Sequence, residues 1–303
     1  MKEEAVRRYT KDAIHIVILL ALLFLLLGIL TWTGVMRCNQ VPAWCGIYYA
    51  IMGEPKVLIV YSGSGLGDAF KLQKAMADPQ RLGVHPYVVN ADNIGLGNLK
   101  EYQLVIVTNA KKLSTEQIKT FINYYLQGGR IVWTGDAGTE LTEGDSYAYK
   151  DELQVGDKHE IIGPWARMDG NNAIRLDYML SAEFLSTYCE AKDCKGKVPW
   201  IGRLEKTPGK EHRLVEGLSP DFPLYGDIAL VRQVQGDNTK TVLTVNALSV
   251  IISKDGEDLG KEFPVIITSG LGERVAYYAI PLETLADRNQ FHLLGKMYYG
   301  MIQ

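Results

Sequence analysis

The feature that most constrains this chain is an uninterrupted apolar run near its start, AIHIVILLALLFLLLGILTWTGV, from Ala13 to Val35. About 20 apolar residues in a helix cross a bilayer core of roughly 30 Å, so this run can span a membrane with some tilt. The only ionisable side chain, that of His15, lies near one end, and Trp32 lies near the other, where interfacial aromatic residues are common. We therefore predict a transmembrane helix over residues 13–35.

A cleaved signal peptide is the alternative explanation of this run. Signal peptides have a shorter apolar region that ends at a small-x-small cleavage site. Here the run is long and continues into Met36-Arg37-Cys38-Asn39, where no such site occurs. The sequence therefore favours an uncleaved signal anchor.

The basic residues beside the run predict its orientation. Positive charge accumulates on the cytoplasmic side of a membrane helix. Arg37 follows the run closely, and four basic residues precede it: Lys2, Arg7, Arg8 and Lys11. We expect residues 1–12 to form a cytoplasmic tail at the cell membrane and everything after the span to be extracytoplasmic.

The four cysteines form two local pairs on the predicted outer side. Cys38 and Cys45 have the spacing C-x6-C, and Cys189 and Cys194 have the spacing C-x4-C. Local pairs in an oxidising compartment favour two short-loop disulfides. Free thiols and a four-cysteine zinc site are the alternatives, although C-x6-C fits a zinc knuckle poorly.

Composition narrows the class of the rest of the chain. The 303 residues carry a net charge of −3 and are 47% hydrophobic, which excludes a disordered chain and argues against a nucleic-acid partner.

Residues 36–54 are apolar for a linker and predict a juxtamembrane collar that contacts the domain, the bilayer or a partner. Residues 55–303 predict one α/β domain.

Alternating strand and helix patterns begin after Pro55. The runs KVLIVY, PYVVNA, QLVIVT and RIVW read as strands, and the first is apolar enough to be buried on both faces. Ser114 to Leu126 predicts a helix, with Ser114 and Gln117 as a capping box. This order indicates βαβ units and a doubly wound, flavodoxin-like sheet.

The second half of the domain has extended signals. We predict a helix over Ile174–Leu185 and a hairpin that joins Phe263–Thr268 to Arg274–Ile280. Residues 139–174 have little pattern and read as an insertion.

The stretch LSTEQIKTFINYYLQGGRIVWTGDAG resembles the strand–helix–strand of class I glutamine-amidotransferase-like domains. The segments HRLVEGLSPDF and FPVIITSGLGERVAYYAIPLETL resemble the non-catalytic branch, which includes trehalose-utilisation-like proteins and the trimerisation domain of β-galactosidases. The resemblance covers roughly residues 56–135 and 210–302. It implies the amidotransferase-like fold and says little about activity.

The residues themselves argue against amidotransferase chemistry. That reaction needs a cysteine nucleophile on a tight strand-to-helix elbow of the form G-x-C-x-G. After the strand RIVW the chain instead reads Thr134-Gly135-Asp136-Ala137-Gly138. We therefore expect no thiol-dependent turnover, and we predict no cofactor and no metal.

Two groups of residues are candidates for other chemistry. Gly63, Gly65 and Gly67 resemble a phosphate-binding turn, but Asp68 takes the place of the final glycine of a dinucleotide fingerprint, which favours an ordinary βα turn.

Asp136, Glu140 and Glu143 follow a strand end, where paired carboxylates can act as acid and base or bind a cation. Helix capping by Asp136 and solvated glutamates are the structural alternatives. His159 or His212 would join such a site only if the fold brings them together.

Two functions from different classes remain at this point. The first is a binding or assembly subunit of a membrane or cell-surface complex, in contact with the lipid bilayer and with protein partners. The second is an extracytoplasmic hydrolase or sugar-active enzyme that uses Asp136, Glu140 and a histidine such as His159.

Overall fold

A computed structural model shows the fold of the chain. It describes residues 2–32, 36, 41, 44–79, 82–143, 145, 152–155, 158–161, 163–169, 172–207, 211–219, 221–285 and 287–302. The chain divides into two compact units, residues 1–54 and Pro55–Ile302.

The first unit contains two helices, α1 (Lys2–Trp32) and α2 (Trp44–Met52). The segment Asp12–Thr31 of α1 is long and apolar enough to cross a membrane, and its side chains are exposed from Asp12 to Leu26. A signal sequence near an N-terminus meets the same criterion. Helix α2 packs back on α1, where the Trp44 indole N–H donates to Thr31 Oγ1 at 2.8 Å.

The second unit contains the strands and the remaining helices. The described strands are β1 (Val57–Tyr61), β2 (Tyr87–Asn90), β3 (Leu104–Val107), β4 (Ile131–Thr134), β5 (Glu152–Val155), β6 (Lys158–Ile161), β7 (Ala166–Asp169), β8 (Asn172–Arg175), β9 (Ala182–Thr187), β10 (Trp200–Lys206), β11 (Asp221–Tyr225), β12 (Ala229–Gln233), β13 (Lys240–Ile252), β14 (Asp258–Ser269) and β15 (Val275–Tyr278). The described helices are α3 (Ala69–Ala77), α4 (Leu96–Leu99), α5 (Thr115–Leu126), α6 (Leu176–Leu180), α7 (Tyr188–Lys192) and α8 (Asp287–Ile302).

Nine of these strands form one mixed sheet in the order β11-β10-β13-β14-β15-β4-β3-β1-β2. Strands β2, β1, β3, β4 and β15 are parallel to one another, and the other four continue the sheet in antiparallel fashion. The predicted α/β class with a large sheet is therefore confirmed. The predicted hairpin before the last helix is also present, as β14 and β15.

Local sequence accounts for the parallel half. Every residue of β3 and β4 is buried, as their apolar runs predict. Helix α5 begins with the predicted capping box, in which Ser114 and Gln117 exchange side-chain and backbone hydrogen bonds.

The predicted helix over Ile174–Leu185 is wrong. This segment contains the end of β8, the short helix α6 and the first residues of β9. Ser181 adopts a left-handed conformation (φ 54°) that ends α6, and β9 then pairs with β12. The insertion that precedes it contributes two hairpins, β5–β6 and β7–β8.

Candidate functional site

The candidate site lies where the order of the parallel strands reverses. Strand β1 lies between β2 and β3, so the chain leaves it towards one side and later returns on the other. Ligands of open α/β sheets bind at such a point, outside the carboxyl ends of the strands. The glycine-rich loop Ser62–Asp68 follows β1 at this position.

The loop after β3 holds the first part of the glycine-rich loop. The backbone N–H groups of Ser62, Gly63 and Ser64 all donate to the Asn109 carbonyl, at 3.0, 3.1 and 3.3 Å. Asn109 itself has a left-handed backbone (φ 50°), and its own N–H donates to the Leu66 carbonyl at 3.0 Å. These N–H groups are therefore not directed at a phosphate.

Asp136 holds the middle of the loop. Its side chain is almost fully buried, and Oδ1 accepts the backbone N–H of Leu66 at 2.7 Å. Burial raises the pKa of the Asp136 carboxyl, against the lowering effect of that hydrogen bond and of the nearby Lys111 charge. A Cβ at Gly65 would lie 2.6 Å from Asp136 Oδ1, so the loop needs glycine there.

Glu283 holds the end of the loop. It lies after β15, and its Oε1 accepts the Asp68 backbone N–H at 2.7 Å and the Thr108 hydroxyl at 3.0 Å. Its other oxygen, Oε2, is buried without a hydrogen-bond partner among the residues described. Burial raises the pKa of this carboxyl. The first turn of α3 completes the arrangement, because Asp68 caps it through Phe70 and Lys71.

Lys111 forms the charged rim of the site. Its Nζ lies 2.8 Å from Glu140 Oε1 and 3.0 Å from Glu190 Oε1. Burial acts to lower the pKa of Lys111, but its hydrogen bonds to the two glutamates outweigh burial and raise that pKa above its usual value. Glu140 is therefore an ion-pair partner here.

The predicted disulfide between Cys189 and Cys194 is present and lies in the segment that carries Glu190. The same segment is fixed by Thr187, which forms a capping box with Glu190. Cys38 lies outside the described residues, as does the side chain of Cys45.

Buried side chains hold the backbone carbonyls of the turn after β4. The indole N–H groups of Trp133 and Trp165 both donate to the Ala137 carbonyl at 2.8 Å. The buried guanidinium of Arg167 donates to the Gly138 carbonyl, also at 2.8 Å. Asp136 therefore lies on a rigid turn, as a nucleophile elbow would require, but its carboxylate is committed to the loop beside it.

The structure does not bring His212 to Asp136. His212 Nε2 lies 3.0 Å from Glu273 Oε2, just before β15 and therefore at the amino ends of the parallel strands. The side chain of His159 lies outside the described residues. Glu143 is exposed. Within the described part of the chain, no group of three or more His, Cys, Asp or Glu residues is placed to hold a metal ion.

Sequence reasoning did not find Asn109, Lys111, Glu190 or Glu283. Asn109 and Lys111 follow a predicted strand, so their position at this edge of the sheet was accessible from the pattern. Glu283 and Glu190 come from distant parts of the chain, and no local signal marks them.

No protein-family model and no curated protein sequence matches the chain. Solved structures do share its fold. A ThuA-like protein from Bacteroides uniformis superposes with a TM-score of 0.53 at 15% identity, over 80% of this chain and 89% of that one. A cold-adapted β-galactosidase from Rahnella sp. R3 gives a TM-score of 0.50 at 16% identity, over 87% of this chain and 34% of the galactosidase.

The domain therefore shares its α/β fold with that ThuA-like protein and with part of that galactosidase. The chain spans about a third of the galactosidase's length. At these identities the likeness shows the fold alone.

Proposed function

We propose that this chain is a single-pass membrane protein whose outer domain is a non-catalytic binding or assembly subunit of a membrane or cell-surface complex. The observation that carries the proposal is that the Asp136 carboxylate acts as a structural hydrogen-bond acceptor. At the position where an amidotransferase-like fold would place its nucleophile, a buried carboxylate accepts a backbone hydrogen bond from Leu66. A group committed in this way stabilises a loop.

The hydrogen bonds of the glycine-rich loop support the same interpretation. The backbone N–H groups of Ser62, Gly63 and Ser64 are bonded to Asn109, that of Leu66 to Asp136 and that of Asp68 to Glu283. These groups of the loop are therefore committed to the protein itself at the position where the fold usually binds a ligand. The parallel strand order β2-β1-β3-β4-β15 is the order of flavodoxin-like sheets, which fits the amidotransferase-like superfamily that the sequence resembles. The fold likeness to a ThuA-like protein also fits that superfamily.

The proposed topology rests on α1 and its flanking charges. The apolar segment Asp12–Thr31 would anchor the chain with its N-terminus in the cytoplasm. The disulfide between Cys189 and Cys194 fits an extracytoplasmic location for the domain. Protease added to intact cells should remove the domain and leave a fragment with α1, whereas protection of the whole chain would contradict this orientation.

The alternative is an extracytoplasmic hydrolase or sugar-active enzyme that uses the carboxylates near Asp136. Two buried carboxyls with raised pKa values, those of Asp136 and Glu283, hold the same loop, and perturbed carboxyls are common in active sites. The fold likeness to part of a β-galactosidase adds to this candidate.

One experiment separates the two functions. The full chain, reconstituted in nanodiscs, is incubated with glutamine and with a panel of aryl glycosides, and ammonia and aryl release are measured. We expect no turnover above that of empty nanodiscs. Turnover that D136N abolishes and E143Q preserves would overturn the non-catalytic proposal, since Glu143 is an exposed carboxylate on the same connection.

The assembly role has its own test, cross-linking in native membranes followed by mass spectrometry. We expect the outer domain to give reproducible cross-links to one membrane or surface protein. Cross-links to abundant proteins only, in proportion to their abundance, would contradict an assembly role.

A further inference from the structure

A second concave surface lies at the opposite end of the parallel strands from the glycine-rich loop. It is a groove of about 400 Å³ between α5, β8, α6 and the segments that contain Asp237 and Gly270. Because α5 ends just before β4, and Gly270 comes just before β15, this groove lies at the amino ends of those strands. It is separate from the site of Asp136.

The floor of the groove is apolar. Ile122 and Leu126 come from α5, Ile174 from β8 and Met179 from α6. Ile174 and Met179 are almost fully buried, whereas 69% of the surface of Leu126 is exposed. An apolar floor of this kind favours a ligand with a hydrophobic face.

The wall of the groove carries an exposed aromatic ring beside polar groups. The Tyr178 side chain is 47% exposed, and its hydroxyl donates to Asp237 Oδ1 at 3.0 Å. The Asp237 carbonyl is held in turn by the Gly270 N–H at 2.7 Å. The exposed Asn123 amide, on the outer face of α5, adds a donor and an acceptor.

The cationic side chains at the groove are already neutralised. Arg175 forms a two-point hydrogen bond with Asp177, at 2.9 and 2.7 Å. Lys119 forms an ion pair with Glu116 at 2.7 Å. Among the described residues that line the groove, no positive charge is unpaired, which disfavours phosphates and other anions as ligands.

We propose that this groove binds a neutral saccharide. A sugar ring has an apolar C–H face that can stack on Tyr178 and hydroxyl groups that can exchange hydrogen bonds with Asp237 and Asn123. A purely apolar chain would leave those two polar side chains without new partners. This inference goes beyond the proposed function, and it holds whether or not the Asp136 region is catalytic.

The test uses the full chain in nanodiscs, since sugar-headed detergents would compete for the groove. The probe is an array of neutral oligosaccharides built from glucose, galactose, mannose and N-acetylglucosamine, followed by titration of the strongest one. We expect Y178A to weaken binding about tenfold through loss of ring stacking. N123A should weaken binding severalfold, and alanine is a good helix former at that exposed position of α5.

The matched control is Y225A, which removes another exposed tyrosine, 52% exposed, from the antiparallel edge of the sheet. It should leave binding unchanged. Three results would overturn the proposal: no binding of any neutral sugar, sugar binding that Y178A and N123A leave intact, or capture of apolar peptides from a peptide array in place of sugars. Thermal unfolding of each variant shows whether a loss of binding reflects a loss of folding.

Discussion

Replacing Asp136 tests whether its carboxylate stabilises the loop or performs chemistry. In D136A the Leu66 N–H, now bonded to Oδ1 at 2.7 Å, loses its acceptor in a part-buried environment. An unsatisfied buried donor costs about 1–3 kcal/mol. At about 2 kcal/mol, a domain of this size loses about 4–8 °C in Tm. D136N keeps a side-chain oxygen as acceptor, so its loss should be smaller.

The pH dependence of D136N adds a second readout. Burial raises the native pKa of Asp136 above its ordinary value of 3.8, so the native state retains a proton that the unfolded state has already lost. Wild-type stability therefore falls as pH rises from 3.8 through the native pKa, and the penalty is complete above it. D136N has no such penalty, so its stability relative to wild type should increase with pH across this window.

Thermal unfolding of the full chain in nanodiscs, followed by near-ultraviolet circular dichroism at several pH values, measures both effects. E143Q is the control, because it removes an exposed carboxylate from the same connection. An unchanged Tm for D136A would refute the loop-stabilising role. So would a D136N stability that falls relative to wild type as pH rises.

Three further predictions concern the loop, the disulfide and His212. G65A should lower Tm more than G63A. Both glycines have positive φ (90° and 78°), but of these two only a Cβ at Gly65 would meet other atoms. Equal effects would contradict the close contact between Gly65 and Asp136. Peptide mapping without reduction should find Cys189 linked to Cys194, and the double serine variant should lose about 2 kcal/mol of stability; two alkylatable thiols in fresh protein would count against the linkage. Burial lowers the pKa of His212 below 6.5. The contribution of neutral His212 to the free energy of unfolding is therefore complete above pH 6.5 and is lost as pH falls from there through the native pKa. H212Q should flatten that slope in thermal unfolding, and an unaltered slope would show that other groups cause it.

The parts of the fold that could be predicted are those in which local and tertiary preferences agree. The strand KVLIVY is buried on both faces in any parallel sheet, and helix α5 carries its own start signal in Ser114 and Gln117. The segment 174–185 could not be predicted, because pairing of β9 with β12 outweighs the helical pattern of its residues. The conformation of this segment depends on the distant strand β12, and the periodicity of a single sequence carries no information about that pairing.

In the candidate site too, some features follow from local sequence and others depend on distant parts of the chain. The position of Asp136 at the end of a strand follows from the pattern RIVWTGD, but its role depends on Leu66, which the sheet topology brings beside it. Glu283 and Asp68 are 215 residues apart and meet only because β15 joins the sheet beside β4. Functional roles that depend on such pairings require the three-dimensional structure.

The late arrival of β15 also has a consequence for biogenesis. Ile131 of β4 pairs in parallel with Val275 of β15, about 140 residues later, and contacts of such high sequence separation slow folding. During synthesis or export, nearly the whole domain has to emerge before β15 can pair with β4. Until then the edge of a largely apolar strand is open, and it is the edge on which a chaperone would have to act to prevent pairing with another chain.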